Sequence, residues 1–219
     1  MLIIKEKEII SPQNNKIILL RSKKFEQNQQ TILFIGVTHG EEPQGEYLIN
    51  KFIQCINEEN LELNKNLLFI PCLNPDGKAI NQRGNSNKVD INRNFPTKNW
   101  EKSIDDSEFF SGKLPNSEIE TQFLVQIIDN YKLDAILTLH APYKIVNFDG
   151  PAEELAVEIS KINNYPVQAD IGYPTPGSFG TYCGVERNIP TITLELPDNV
   201  DNETLWDENK DVFYFLARK

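Results

Sequence analysis

The feature that most constrains the fold is a series of short apolar runs, each ending at polar residues. Near-continuous β-branched and aromatic runs are typical of strands that are covered on both faces. The clearest run spans residues 32–37, and His39 and Glu42 follow it directly. Pro43 has the fixed φ and missing N–H that suit a first helical position, so we expect a helix to begin there. His39 and Glu42 therefore lie at the carboxyl end of a strand, where α/β sheets hold their ligands.

The same alternation of strand and helix patterns continues along the chain. It predicts an α/β fold with a mostly parallel, twisted, mixed sheet and helices on both faces. A length of 219 residues suits a single domain, residues 1–219. The first two strands are expected to pair antiparallel at an edge of the sheet. The expected strands are residues 2–10, 16–21, 32–37, 67–71, 133–139 and 190–196, and the expected helices are 44–58, one starting at 116–118, 151–162 and 201–216.

Two segments lack this periodicity. Residues 72–117 are rich in Asn, Gly, Pro and Lys, and residues 172–184 form a turn-rich segment. A loop of such length inside a compact domain is commonly functional or disordered. We favour a functional loop, because residues 78–98 carry five basic side chains and a single acidic one, Asp90. The planar fork of arginine matches carboxylate oxygens, which makes Arg83 and Arg93 candidates for a carboxylate pocket. The alternative is a solvated loop that is basic by chance.

Composition excludes several classes of partner. The net charge of −10 argues against nucleic acid or an anionic membrane as the main partner. The three cysteines are widely spaced and form no CxxC pair, which favours a reducing compartment. The first ten residues alternate charged and apolar side chains, unlike a signal peptide, and no stretch approaches the ~20 apolar residues of a membrane span. We therefore expect a cytoplasmic protein. The sequence does not indicate its oligomeric state.

The chain contains two histidines, and both follow apolar strands: His39 after residues 32–37 and His140 after 133–139. His39, Glu42 and His140 can supply three metal ligands and leave a position open, the pattern of a catalytic zinc site. A closed structural zinc site would use four protein ligands, often cysteines, and these cysteines are badly placed for it. The alternative is that each histidine is structural and bonds a backbone carbonyl.

Glu195 is a carboxylate within the apolar run 190–196. A buried carboxylate is costly unless it is paired or lies near a metal ion. Glu195 is therefore a candidate general base toward water at the metal, whose pKa zinc lowers to about 7. The alternative is an edge residue that reaches solvent.

The order of these motifs resembles the zinc carboxypeptidases over residues 31–197. The sequences NPDG and DINRNFP lie between the segments of the two histidines. Their occurrence together, at this separation, is particularly specific to that family. Within the family, the resemblance extends to enzymes that cleave the γ-D-glutamyl–meso-diaminopimelate bond of murein peptides. The segments behind it are RGN followed by VDINRNFP, HAP followed by DGPAEELA, and GSFGTYCG followed by PTITLELP.

The resemblance implies one zinc ion per chain and assigns roles around it. His39, Glu42 and His140 correspond to the family's zinc ligands. Glu195 corresponds to the general base, which later donates the proton to the leaving group. The resemblance also implies that Asp90 orients a ligand histidine without binding the metal itself, as zinc sites commonly need.

The resemblance also implies how a peptide substrate is bound, with two departures. Arg83 corresponds to the arginine that polarises the scissile carbonyl, and Asn92 with Arg93 to the pair that binds the terminal carboxylate. Many members carry an arginine where Glu41 stands, which favours a short substrate over an extended peptide. The family's substrate-closing tyrosine has no clean counterpart, and Tyr182 is the nearest candidate.

The expected activity is hydrolysis of the γ-D-glutamyl–meso-diaminopimelate bond by metal-promoted attack of water. One alternative is a general metallocarboxypeptidase that removes C-terminal amino acids. A second is an N-acyl amino acid deacylase, which shares an early HxxE, although the NPDG sequence at 74–77 argues against it. A third is a silent module that only binds peptide termini, yet neither a ligand nor the base is missing here.

Overall fold

A seven-stranded mixed sheet forms the centre of the structure, a computed structural model that describes residues 1–105 and 107–218. Its strands are β1 (Ile3–Ile10), β2 (Lys16–Ser22), β3 (Thr31–Ile35), β4 (Asn66–Ile70), β5 (Ala135–His140), β6 (Ile145–Asp149) and β7 (Thr191–Glu195). Their order in space is β1-β2-β4-β3-β5-β7-β6. The four strands β4, β3, β5 and β7 run parallel, and the outer strands at both edges pair antiparallel. The expected α/β fold class, with its antiparallel first hairpin, is confirmed.

Helices cover both faces of the sheet. They are α1 (Gln44–Glu58), α2 (Pro75–Ala79), α3 (Ile119–Asn130), α4 (Glu153–Asn163) and α5 (Asn202–Arg218). Phe34 of β3 packs with α1, α4 and α5 on one face, and its neighbours Leu33 and Ile35 pack with α3 on the other. Burial on both faces explains why these strands are apolar throughout. Within the described residues, none of the helices combines the length and apolar character needed to cross a membrane.

An aromatic cluster fixes α1 and α5 against the sheet. The ring of Phe34 stacks on Phe69 of β4 at 5.1 Å and on Phe213 of α5 at 5.7 Å between centroids. Phe52 of α1 lies 5.4 Å from Phe213. Because α1 begins just after Glu42, this packing also fixes the position of the Glu42 side chain at the carboxyl end of β3.

The structure adds elements that the periodicity did not predict. Residues 72–117 were expected to lack regular structure, but they contain α2 and a 3-10 turn, Ile91–Arg93. The segment 172–184 includes the start of a π-helical turn, Thr181–Val185. Strand β6, also unpredicted, pairs with β7. These elements are short, and tertiary contacts rather than hydrophobic periodicity stabilise them.

The central strand ends two residues earlier than expected. Residues 32–37 were predicted as a strand, whereas β3 ends at Ile35. Val37 has a φ of +52°, a left-handed backbone conformation that is strained for a β-branched residue. The strained turn leads directly into the segment that carries His39.

Candidate metal centre

His39, Glu42 and His140 converge at the carboxyl ends of β3 and β5. All three are buried, and their candidate ligand atoms lie within 4.8 Å of one another. The Nδ1 atom of His39 lies 2.8 Å from Oε1 of Glu42, and Nδ1 of His140 lies 3.0 Å from Oε2 of the same carboxylate. The two Nδ1 atoms are 3.2 Å apart. Parallel pairing of β3 with β5 brings together two histidines that are 101 residues apart in the chain.

The donor atoms of this cluster fit a divalent cation. Nε2 of His39 faces Oδ1 of Asp90 at 3.1 Å, and because an ionised carboxylate only accepts, Nε2 carries the proton. When a cation takes the place of the proton on Nδ1, the lone pair of that nitrogen points toward Glu42 and His140. Converging lone pairs from two imidazoles and a carboxylate are the donor set of catalytic zinc sites.

The carboxylates of this cluster favour a positive charge between them. Burial lowers the pKa of His39, but the charges of Glu42 and Asp90 outweigh burial and raise that pKa to about 9. Burial likewise raises the pKa of Glu42, whereas His39 and His140 hold it well below its usual range. Both shifts reflect a site that favours positive charge at its centre.

Asp90 joins the histidine corner to Arg83. Its Oδ2 accepts a hydrogen bond from Nε of Arg83 at 2.9 Å, and its Oδ1 also accepts one from the backbone N–H of Asn92 at 2.9 Å. Burial raises the pKa of Asp90, but the charges of His39 and Arg83 hold it far below its usual range. Asp90 is therefore a fully ionised, fully buried bridge between the two groups.

The NPDG sequence at 74–77 is a scaffold for Arg83. The side-chain amide of Asn74 donates to the backbone carbonyls of Thr38, at 3.3 Å, and of Arg83, at 3.2 Å. Its oxygen accepts from the N–H of Gly77 and caps α2. A Cβ atom on Gly40 would lie 2.1 Å from the carbonyl carbon of Gly77, so the approach of the two segments requires glycine. These contacts fix the Arg83 segment against the segment that carries His39.

Glu195 ends β7 beside His140, with which it is paired in register. Its side chain is buried, and its Oε2 has no hydrogen-bond partner among the described residues. Burial raises the pKa of Glu195; the charge of His140 opposes this rise and that of Glu42 adds to it. A carboxylate with a raised pKa accepts a proton more readily than a free one, which suits a general base.

A cavity of about 330 Å³ lies over this corner. Arg93 is buried in its wall, and its Nη1 donates to the backbone carbonyl of Asn92 at 2.8 Å. The side chain of Asn92 accepts from the backbone N–H of Phe179 at 2.8 Å. The ring of Phe109 lies 5.1 Å from the guanidinium of Arg83 and 5.4 Å from that of Arg93. Eight of the nine residues singled out from the sequence are thus brought together, namely His39, Glu42, Arg83, Asp90, Asn92, Arg93, His140 and Glu195.

The ninth, Tyr182, does not reach the cavity. It is 1% exposed, its ring lies 5.5 Å from that of Phe95, and the guanidinium of Arg187 covers it at 3.4 Å. The π-helical turn directs this side chain into the core, which corrects the expected substrate contact. Tyr173 lines the cavity instead, and its ring centroid lies 6.1 Å from that of Phe109.

Tyr173 was not predicted to face the cavity, although the sequence carries a signal for it. Tyr173 precedes Pro174 and Pro176 in the part of segment 172–184 that stays irregular. Prolines there prevent a helix from carrying the tyrosine into the core. Tyr182 lies beyond them, where a helical turn forms.

Residues 5–154, more than half of the 219, match the family model for zinc carboxypeptidases. The chain belongs to the zinc carboxypeptidase family. The resemblance seen in the motifs is confirmed, and the family consists of hydrolytic enzymes that use zinc.

Relatives within the family include murein peptide amidase A of Vibrio campbellii, which is 33% identical over 205 residues, or 88% of this chain and 79% of that protein. The crystal structure of the murein-tripeptide amidase of Escherichia coli O157 superposes with a TM-score of 0.78 at 25% identity, covering 96% of this chain and 90% of that one. Carboxypeptidase A of Helicoverpa armigera shares the fold, with a TM-score of 0.77 at 18% identity, covering 98% of this chain and 66% of that one.

Proposed function

We propose that this zinc carboxypeptidase family member is a murein peptide amidase that hydrolyses the γ-D-glutamyl–meso-diaminopimelate bond. The observation that carries the proposal is the convergence of His39, Glu42, His140 and Glu195 at one end of a residue-sized cavity. Relatives named murein peptide amidase A, which cover most of this chain, support the substrate. The catalytic unit is a single domain over residues 1–219.

One zinc ion per chain is held by His39, Glu42 and His140. When bound, zinc supplies a Lewis acid for the scissile carbonyl and lowers the pKa of water. The buried, converging lone pairs of the three side chains support this assignment.

Glu195 takes the proton of the attacking water and delivers it to the leaving amine. Its raised pKa supports this role, as does its Oε2, which accepts no hydrogen bond from any residue that the structure describes. Arg83 stabilises the oxyanion that develops on the scissile carbonyl. Asp90 accepts a hydrogen bond from its Nε and fixes the guanidinium. Its Nη1 lies 3.8 Å from Glu42, and this position is beside the one proposed for the scissile carbonyl.

Asn92 and Arg93 bind the free carboxylate of the substrate's C-terminal residue. The guanidinium of Arg93 lies in the cavity wall beside Phe109, and a planar fork binds a carboxylate through two hydrogen bonds. Fixing this carboxylate positions the scissile bond at the metal corner and contributes to rate by orientation.

The substrate is a short peptide, and the tripeptide L-alanyl-γ-D-glutamyl-meso-diaminopimelate fits this description. Glu41, where many members have arginine, is exposed and lies 3.9 Å from Nη1 of Arg83, so it offers no cation to a longer peptide chain. The free cysteines Cys55, Cys72 and Cys183 support a reducing compartment, and hence a role in wall recycling in the cytoplasm.

The test is incubation of the purified protein with this tripeptide and with ordinary peptides, with and without a chelator. We expect release of free diaminopimelate, abolished by the chelator and restored by zinc, with one zinc per chain by metal analysis. Faster release of a common C-terminal amino acid would instead identify a general carboxypeptidase. Cleavage of N-acyl amino acids alone would identify a deacylase, and binding without turnover a silent module.

A further inference from the structure

A closed turn separates Arg83 from Asp90, whose side chains meet at 2.9 Å. The backbone N–H of Asn85 donates to the carbonyl of Val89 at 2.9 Å. The side-chain oxygen of Asn85 accepts hydrogen bonds from the backbone N–H groups of Asn87, at 3.0 Å, and of Val89, at 3.1 Å. The turn is therefore one hydrogen-bonded unit, with Arg83 just before it and Asp90 just after it.

The side-chain amide of Asn85 joins this turn to the start of α3. Its nitrogen donates to Oε2 of Glu118 at 2.8 Å and to Oε2 of Glu120 at 3.0 Å, and all three side chains are buried. An amide nitrogen carries two N–H groups, so both are used in these two bonds. Phe123 and Leu124 of α3 pack against the sheet, which makes the helix a fixed support for the turn.

The two carboxylates have few other partners. Ser117 donates to Oε1 of Glu118 at 2.6 Å, whereas Oε1 of Glu120 is buried and accepts no hydrogen bond from any described residue. Burial raises the pKa of Glu120 to about 7 against the hydrogen bond from Asn85, and the charges of Glu118 and Asp76 add to the rise. Buried ionisable groups of this kind contribute little net stability, but they can give a defined position to the group that they bond. Here that group is Asn85.

The turn is held from α2 as well. A Cβ atom on Gly77 would lie 2.3 Å from the carbonyl oxygen of Gly84, so the close approach of the two backbones requires glycine. After the turn, the N–H of Asp90 donates to the carbonyl of Phe110 at 2.8 Å. Backbone contacts with α2 and the amide of Asn85 thus hold the turn between α2 and α3.

We propose that Asn85 is a positioning residue that holds Arg83 and Asp90 in place through its two bonds to α3. Asn85 neither lines the cavity nor belongs to the proposed ligand set, so its effect passes through the residues on either side of the turn. Asp90 orients His39, and a displaced Asp90 loosens the metal corner. The effect through Arg83 rests on the proposed function, which places the scissile carbonyl beside that guanidinium, whereas the effect on zinc does not.

Asn85→Ala removes both bonds to α3. At saturating zinc we expect kcat on the tripeptide to fall by about 10–100-fold, because a misplacement on the order of 1 Å at the reacting group has an effect of this size. KM should change by less than about threefold, since Asn92 and Arg93 lie beyond the turn. Zinc affinity, measured by competition with a chelator, should fall by about threefold or more.

Asn87→Ala is the matched control on the same turn. Asn87 is exposed, and its amide donates to the same Oε2 of Glu118 at 2.8 Å, but it makes neither of the two bonds of Asn85. This variant loses the same type of side chain from the same turn. Its kcat, KM and zinc affinity should stay within about twofold of the wild-type values.

Asn85→Asp adds a pH profile, which a merely structural role would not produce. The charged groups that face this position are Glu118 and Glu120 of α3 and Asp76 of α2, while Lys88 of the same turn is exposed. Beside these carboxylates the new carboxyl should have a raised pKa. Ionised at pH 8.5 it is repelled and donates no bond, and protonated at pH 6 it can donate one. The ratio of its kcat to that of the wild type should therefore rise by about 3–10-fold from pH 8.5 to pH 6, while the ratio for Asn85→Ala stays constant.

A fall in kcat or in zinc affinity that is confined to the variants of Asn85 supports the proposal. Wild-type values of both in Asn85→Ala would overturn it, as would equal losses in Asn87→Ala. If the wild type does not cleave the tripeptide, the proposed function fails by itself, and zinc competition, which needs no substrate, still tests Asn85. If Asn85→Ala does not fold, Asn85→Asp decides: a ratio to the wild type that is the same at both pH values, in kcat or, without turnover, in zinc affinity, would refute the positioning role.

Discussion

Nε2 of His39 donates a hydrogen bond to the carboxylate of Asp90 over 3.1 Å, and both groups are buried. This contact holds a proton on Nε2 of His39, so that Nδ1 is the nitrogen left to bind a cation between Glu42 and His140. Asp90 therefore orients the ring of His39, although Asp90 itself is not one of the proposed metal ligands.

Asp90→Asn should weaken zinc binding by about 10–100-fold, because the amide carries no charge to support His39. The measurement is a competition for zinc against a chelator of known affinity. Asp198→Asn, an exposed acid with the same change of charge, is the matched control and should bind zinc normally. Unchanged zinc affinity in Asp90→Asn would show that Asp90 does not orient the ligand.

Zinc should raise the thermal stability of the metal-free protein. At a free zinc concentration 100 times Kd, binding to the native state contributes about 2.7 kcal/mol, which for a chain of this size corresponds to a rise in Tm of roughly 5–11 °C. Differential scanning fluorimetry of metal-free and zinc-loaded protein measures it. His140→Ala should lose the shift, and a shift retained in this variant would place the metal elsewhere.

Glu195→Gln should lower kcat by about 10²–10⁴-fold, since the amide cannot accept the proton of water. Zinc content should stay at the wild-type level, because Glu195 is outside the proposed ligand set. Steady-state kinetics on the tripeptide, with metal analysis of the same samples, tests both statements. Substantial turnover by this variant would remove Glu195 from the role of base.

Substitutions of Arg83 and of Arg93 should affect different kinetic constants, kcat for Arg83 and KM for Arg93. Arg83→Lys should reduce kcat by about 10²–10³-fold with little change in KM, because its proposed contacts form in the transition state. Arg93→Lys should raise KM by about tenfold or more, since lysine lacks the planar fork that binds a carboxylate. Similar effects of both variants on kcat alone would refute the assignment of Arg93 to substrate binding.

Glu120→Gln should stabilise the protein at pH 8. Glu120 on α3 is fully buried beside Glu118, and burial raises its pKa from 4.5 to about 7. Below pH 4.5 the carboxyl is protonated in both folded and unfolded states. As the pH rises to 7, the unfolded state ionises first, so the contribution of Glu120 to stability falls by roughly 3 kcal/mol.

The glutamine variant should not show this fall, so its gain over the wild type should be present at pH 8 and absent at pH 4.5. Denaturant unfolding at both pH values measures the difference. Glu62→Gln, an exposed residue, is the control and should change stability by less than about 0.5 kcal/mol. A loss of stability at pH 8 in Glu120→Gln would show that the ionised carboxylate is stabilising.

Much of the architecture could be predicted from the sequence. The strands β3, β4 and β5 are mostly apolar because both faces are covered, and α1, Gln44–Glu58, was predicted to within one residue, since its start was expected at Pro43. The short β6 and α2 were missed, because five residues carry too little periodicity. Their stability comes from long-range pairing and from caps such as Asn74, which no local pattern reports.

The sequence by itself determined which side chains were available: two histidines after apolar strands, a glutamate at the end of another, and arginines in a basic loop. Only the tertiary structure decided that they meet, and that Tyr182 packs in the core while Tyr173 faces the cavity. The physical reason is that sheet order and register are set by contacts between residues about 40 to 100 positions apart, such as Ile35 with Thr138 and Asp149 with Thr191. Local propensities specify each strand but not its neighbour.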